Sequence, residues 1–246
     1  MDNLNLLKKF TEENEIYLSE KKLEQFEKFR SFLIEKNKVI NLTAIDDPEG
    51  IEIKHFIDSL AAADVIEALA GEDFSLVDIG CGAGFPGIPL KIVFPQAKVT
   101  LVDSVNKKIN CVNEAIKLLG LKKAETAAAR AEDLGRGKRR ESFDICVSRA
   151  VADTGILIEY CLPLVEVGGY CILYKSGDCA EEIQKAEPAV RLLGGEIEDI
   201  KKVFLPKNSG ERSLVIISKE KATPAKYPRR PGKPSKSPIS NSNKKE

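Results

Sequence analysis

Only one histidine, His55, and no Cys-x-x-Cys pair occur in the 246 residues. A Cys/His zinc site needs ligands at spacings that this chain does not offer, so no metal is expected. The six cysteines, at 81, 111, 146, 161, 171 and 179, fall mostly within segments that read as strands or helices. Buried thiols are expected there, not a disulfide framework. Long apolar runs are also missing. None approaches the length that crosses a bilayer, and MDNLNLLKKFTEENE lacks the apolar block of a secretory signal. The expectation is a cytoplasmic protein with no membrane partner.

A chain of this length with 43% hydrophobic residues suffices for one α/β core plus an appendage. Its zero net charge hides an asymmetry: residues 221–246 hold eight Lys/Arg against one acid, and the rest is correspondingly acidic. Five of the twelve prolines also lie in this tail, which opposes helix and central strand and favours an extended segment. Two readings of the tail stand side by side. One is a solvated, disordered basic terminus. The other is an extended strand docked on RNA, with Tyr227 stacking and Arg229, Arg230, Lys233 and Lys236 on phosphates.

The run VDIGCGAGFPGIPL, Val77 to Leu90, reads as an apolar strand, a glycine bend and a helix start. Gly80, Gly82 and Gly84 allow a tight turn and close approach of backbone to a bound molecule. Asp103 ends a second apolar strand, AKVTLVD, where a carboxylate can accept from ribose hydroxyls. The expected ligand is a nucleoside. Gly82, Gly84 and Gly87 also satisfy the dinucleotide fingerprint, so NAD competes with S-adenosylmethionine (SAM). Pro86 and Pro89 each lack a backbone N–H in the first helical turn, which disfavours a pyrophosphate there. SAM carries no phosphate, and Asp78 is placed to anchor its methionine ammonium group.

Residues 1–70 read as a helical cap resting on the core. Leu23, Phe26, Phe29, Arg30, Phe32 and Leu33 form one stripe, and Asp46-Asp47-Pro48 starts a second helical region running to about Leu69. Residues 71–220 then alternate: strand to Ile79, helix 88–94, strand 98–103, helix 106–119, strand 124–128, strand 143–148, helix 153–165, strand 168–176 and helix 179–193. Two late strands, near 197–204 and 213–218, form an antiparallel pair at the edge of an otherwise parallel sheet. That edge pair suits a methyltransferase better than a dinucleotide dehydrogenase.

In order along most of the chain stand NLTAI (41–45), KHFIDSL (54–60), DIGCGAGFPGIPL, LVDSVNKK (101–108), RAEDL (130–134), VSRAVA (147–152), LPLVEVGG and YPRRPGKPSKSPI. With these motifs the sequence resembles the bacterial small-subunit rRNA guanine-N(7) methyltransferases, RsmG, formerly GidB. It departs in Cys81, where serine is common, and in Lys54, where arginine is common. The resemblance implies a Rossmann-like class I SAM-dependent methyltransferase sheet with an antiparallel edge pair and an N-terminal helical cap. It further implies methylation of nitrogen 7 of a guanine, with 16S rRNA or the small ribosomal subunit as partner and no DNA. Gly80 and Phe85 would line the SAM pocket, Ala131 and Glu132 its adenine side, and Arg149 would lie near the cofactor.

Guanine nitrogen 7 has an in-plane lone pair and no proton, so no catalytic base is expected. Arg149 and Arg130 are candidates for positioning, and Arg130 and Lys175, near strand ends, for RNA phosphates. His55 and Asp58 share a helix face, either for a capping or cap-to-core hydrogen bond or for an active-site task. Rival readings are a small-molecule or protein methyltransferase, an RNA-binding module with a vestigial pocket, and an NAD enzyme.

Overall fold

Side-chain alternation along the strands sets the layers. In the computed structural model, whose described residues are 4–149 and 152–239, Leu76 of β1 (Ser75–Ile79) packs on one face of the sheet and Val77 and Ile79 on the other. Ala150 and Val151 of the VSRAVA motif, and the end of the basic tail, lie outside the described residues. Strands β2 (Lys98–Asp103), β3 (Ala124–Ala128), β4 (Phe143–Arg149) and β5 (Val165–Ser176) run parallel with β1. Strand β7 (Glu211–Lys219) is antiparallel to β5 and to β6 (Gly195–Phe204), giving the order β3-β2-β1-β4-β5-β7-β6. The expected antiparallel edge pair is therefore present. Strand order reverses between β1 and β4, and open α/β sheets bind ligands beyond the C-terminal strand ends at that point.

One face carries α1 (Asn5–Glu13), α2 (Glu20–Ile40), α3 (Pro48–Ile51), α4 (Asp58–Leu60), α5 (Ala63–Leu69), α6 (Gly87–Val93) and α7 (Asn106–Leu119). Helix α2 starts where the Ser19 side chain accepts from Lys22 N and stops where Asn41 turns left-handed at φ 45°. Phe26, Phe29 and Leu33 of the expected stripe are buried, together with the ring of Phe56. Each such side chain contributes about 1.5–3 kcal/mol through area removed from water. The expected helix start at residue 48 is also present, with Asp47 capping Gly50 N at 2.6 Å. The region does not continue as one α-helix: Glu52–Ile57 is a π-helix, and the chain breaks again before α5.

The opposite face carries α8 (Ala131–Arg136), α9 (Thr154–Cys161) and α10 (Ala180–Leu192). Helix α9 ends four residues short of the expected 165. A 3-10 turn holding Pro163 follows, since proline has no N–H to extend an α-helix, and β5 starts directly at Val165. All six cysteines are free and buried. Beyond β7 the chain packs across α8 and α9, and reaches a short α11 (Lys233–Lys236). The tail's Tyr227 and Ile239 join the apolar cluster on this face.

Candidate functional site

Beyond β1 the backbone folds into the expected bend, with φ +76° at Gly80, +57° at Gly82 and +101° at Gly84. These left-handed angles are costly for residues with a Cβ. The N–H groups of Gly80 and Cys81 donate to Val102 O at 2.8 and 2.9 Å, fastening the bend to the end of β2. Gly82 N donates to Asp103 Oδ2 at 3.1 Å, while Val105 N donates to Oδ1 at 2.9 Å. Two backbone donors thus fix the orientation of the Asp103 carboxylate. A carboxylate has about four acceptor sites, so capacity for ribose hydroxyls is left. A Cβ at Gly82 would meet nothing nearer than Gly80 O at 4.0 Å, so this face of the bend opens onto free space.

Asp78 lies beneath the bend, fully buried. Its Oδ2 accepts from Gly87 N at 2.8 Å, and its Oδ1 has no partner. Desolvation pushes the carboxyl up to about 7, against the lowering effects of the Gly87 hydrogen bond and the Arg149 charge. An unpartnered buried oxygen of this kind matches a cationic ligand group. The glycine bend, the ribose-type carboxylate and this orphan oxygen fit SAM, a phosphate-free nucleoside with an ammonium group.

A cleft of about 430 Å³ adjoins the bend, lined by Gly80, Asp103, Lys108, Arg130, Ala131, Glu132, Ile156, Tyr160 and Ser235 among others. Of the sequence-predicted cofactor residues it gathers Gly80, Asp103, Ala131 and Glu132. Larger concavities lie at the opposite strand ends and between α9 and α10, away from the bend. Arg130 is exposed at the cleft.

Phe85 and Arg149 are not part of that lining; they meet at the cap side of the bend. The Arg149 guanidinium sits 5.2 Å from the Phe85 ring centroid and donates to Asp58 Oδ2 at 2.8 Å. His55 stacks on Phe85 at 4.4 Å, and its Nε2 is 2.8 Å from Thr43 Oγ1. Burial, followed by the Arg149 charge, lowers His55 to about 3. His55 is therefore neutral near pH 7. Arg212 from β7 donates to the other Asp58 oxygen at 2.6 Å. His55 and Asp58 thus make the cap-to-core contacts foreseen as one of their two readings.

Three sequence-predicted RNA residues are engaged within the protein, which departs from the sequence reading. Tyr227 is buried because the tail folds back onto α8 and α9. Arg229 donates from Nε and Nη2 to the fully buried Glu159, which also accepts Arg229 N at 2.7 Å. Lys175 pairs with Glu182 at 2.7 Å, seven residues further on, across the short connection from β5 to α10. Arg230, Lys233 and Lys236 are exposed.

Sequence reasoning missed Tyr160 and Ile156, although their i, i+4 spacing on α9 puts them on one helix face. It also missed Lys108, Ser235, Glu159 and Arg212. Lys108 lies only five residues from its partner Asp103, within LVDSVNKK; no local pattern marks Glu159 and Arg212, whose partners lie 70 and 154 positions away.

The strand order, the glycine bend and the carboxylate ending β2 together define the class I methyltransferase type of α/β fold. Solved structures share it at low sequence identity. The ribosomal protein L11 methylase of Lactobacillus delbrueckii subsp. bulgaricus superposes with TM-score 0.52 at 17% identity, covering 68% of this chain and 79% of that one. The Pyrococcus horikoshii protein TYW2, solved in complex with MeSAdo, gives 0.51 at 17%, covering 65% and 60%. The sequence itself goes further: residues 22–215 match the GidB family, described as rRNA small subunit methyltransferase G, and the chain belongs to that family. Relatives called ribosomal RNA small subunit methyltransferase G include that of Staphylococcus carnosus, 46% identical over 93% of this chain and 95% of the relative. That of Desulforamulus reducens is 47% identical over 97% and 100%. No helix among the described residues is long and apolar enough to cross a membrane.

Proposed function

We propose that this protein transfers a methyl group from SAM to nitrogen 7 of a guanine in 16S rRNA, acting in the cytoplasm on the RNA or on the small ribosomal subunit. The observation that carries the reading is the Gly82–Asp103 hydrogen bond, which makes the glycine bend and the strand-end carboxylate one cradle for a nucleoside. Asp103 would hold the ribose, Asp78 the methionine ammonium group, and Gly80, Gly82 and Gly84 the close backbone approach. Ala131 and Glu132 would flank the adenine. When bound, SAM supplies an electrophilic methyl group on a sulfonium.

The chain's own residues then position and exclude water. His55, lowered to about 3, is a poor proton acceptor and Asp58 is paired with two arginines; the reaction asks for no base, because guanine nitrogen 7 has no proton to lose. Donors aimed at nitrogen 7 would block its lone pair, so the base must be held by its other edges and by stacking. Arg149, pinned over Phe85, is the positioning candidate on the cap side, and Arg130 the one at the cleft. The A-form major groove is too narrow for a protein pocket, so the target guanine is taken unpaired. Arg130, Arg230, Lys233 and Lys236 are exposed for phosphates.

Mapping 7-methylguanosine in 16S rRNA, from cells without the gene and after its return, tests the reading. One methylated guanine that vanishes and reappears is expected. An unchanged methylation map would refute it.

A further inference from the structure

Glu159 is a carboxylate with no place in the chemistry above and no exposed side-chain surface. Burying such a charge is costly unless it is fully paired. The C-terminal segment supplies all the partners found: Nε and Nη2 of Arg229 and the Arg229 backbone N–H. Arg140 secures the segment upstream, donating to Thr223 O at 2.5 Å and to Tyr227 O at 2.6 Å. Three residues past Arg229, Gly232 donates its N–H to Glu132 Oε1 at 2.9 Å. Gly232 adopts φ +79° and turns the chain into α11, which delivers Ser235 to the lining of the cleft beside Tyr160. The basic tail is thus a strap over one side of that cleft. Glu132, a cofactor candidate, is tethered to it.

We infer that this strap is a wall of the cofactor site, and that Glu159 and Arg229 are positioning residues that hold Gly232 on Glu132 and Ser235 at the cleft, setting affinity for the adenosyl half of SAM. The inference rests on the reading that the cleft beside Gly80 and Asp103 holds SAM. Coupling is reciprocal: if the docked strap raises SAM affinity, SAM holds the strap docked by the same factor.

The test uses the full chain and isothermal titration with SAM. Removing one charge would strand the other, so Glu159→Leu is combined with Arg229→Met. In this double variant the Kd for SAM should rise about tenfold with cooperative thermal unfolding retained. The KM for SAM should rise by the same factor and kcat at saturating SAM fall less than threefold, whereas a merely structural role would lower kcat with the active fraction. In wild type, SAM should slow tryptic cleavage after Arg229 and Lys236. Ser235→Trp alters an exposed residue at the cleft and should also raise Kd about tenfold; it decides the matter if the double variant does not fold. A folded double variant, or Ser235→Trp, that binds SAM with wild-type affinity overturns the inference. Gly82→Asp separates the two claims: unchanged affinity there would mean that SAM lies elsewhere, whereas its loss beside an unaffected strap variant would reject the strap alone.

Discussion

The Arg149 guanidinium donates to Asp58 Oδ2 at 2.8 Å, joining the end of β4 to a cap helix 91 residues earlier in the chain. Asp58 accepts Arg212 on its other oxygen, and its side chain is only 3% exposed. Removing the carboxylate leaves two largely buried arginines without their shared partner. Asp58→Ala should cost roughly 3 kcal/mol of stability, read from urea denaturation. The further loss in Asp58→Ala with Arg149→Met should be smaller than the sum of the single effects.

Gly82 has φ +57° and open space where a side chain would project. Gly82→Asp should therefore fold, at a strain cost of about 1–2 kcal/mol. Its added carboxylate fills the cradle beside Asp103, and SAM affinity should fall roughly 100-fold. Calorimetric titration measures both the affinity and its loss.

The orphan oxygen of Asp78 makes cofactor binding depend on pH. Its carboxyl, raised to about 7, is neutral below that pH and anionic above it. SAM affinity should rise from pH 6 to pH 8 as the anion forms, and Asp78→Asn should flatten the rise. In the protein without ligand the sign is reversed for stability. The folded state holds the proton more tightly than the unfolded chain, so this group lowers stability as pH climbs from 3.8 to about 7.

His55 acts in the other direction. Its pKa is lowered from 6.5 to about 3, so the stability it lends is complete above 6.5 and is lost as pH falls toward 3. Denaturation midpoints should drop across this window in wild type. His55→Phe, which keeps a ring against Phe85, should show a shallower drop.

The exposed cations of the strap should govern RNA binding through counterion release. Arg230→Gln and Lys236→Gln should each reduce the slope of log K against log salt by about 0.7–0.9. Filter binding of 16S rRNA over a salt series checks this.

Much of the fold follows local rules. Strand β2 and helix α7 lie where residue periodicity puts them, at 98–103 and 106–119, because apolar spacing and flanking turn residues act within a few positions. The glycine bend was legible for the same reason: backbone turning and the carboxylate ending β2 are short-range properties. The antiparallel edge of the sheet could be read from two adjacent strands and a short connection. The roles of Tyr227 and Arg229 could not be read this way. Residue type suits an aromatic and an arginine equally to RNA and to a buried acid, and the choice fell to Glu159, 70 positions away. Likewise, the partition of Phe85 and Arg149 from the cleft arose when the cap brought His55 and Asp58 against the sheet. Short-range stereochemistry specified the elements and the cradle; burial of charges from distant parts of the chain decided which side chains remain free to bind.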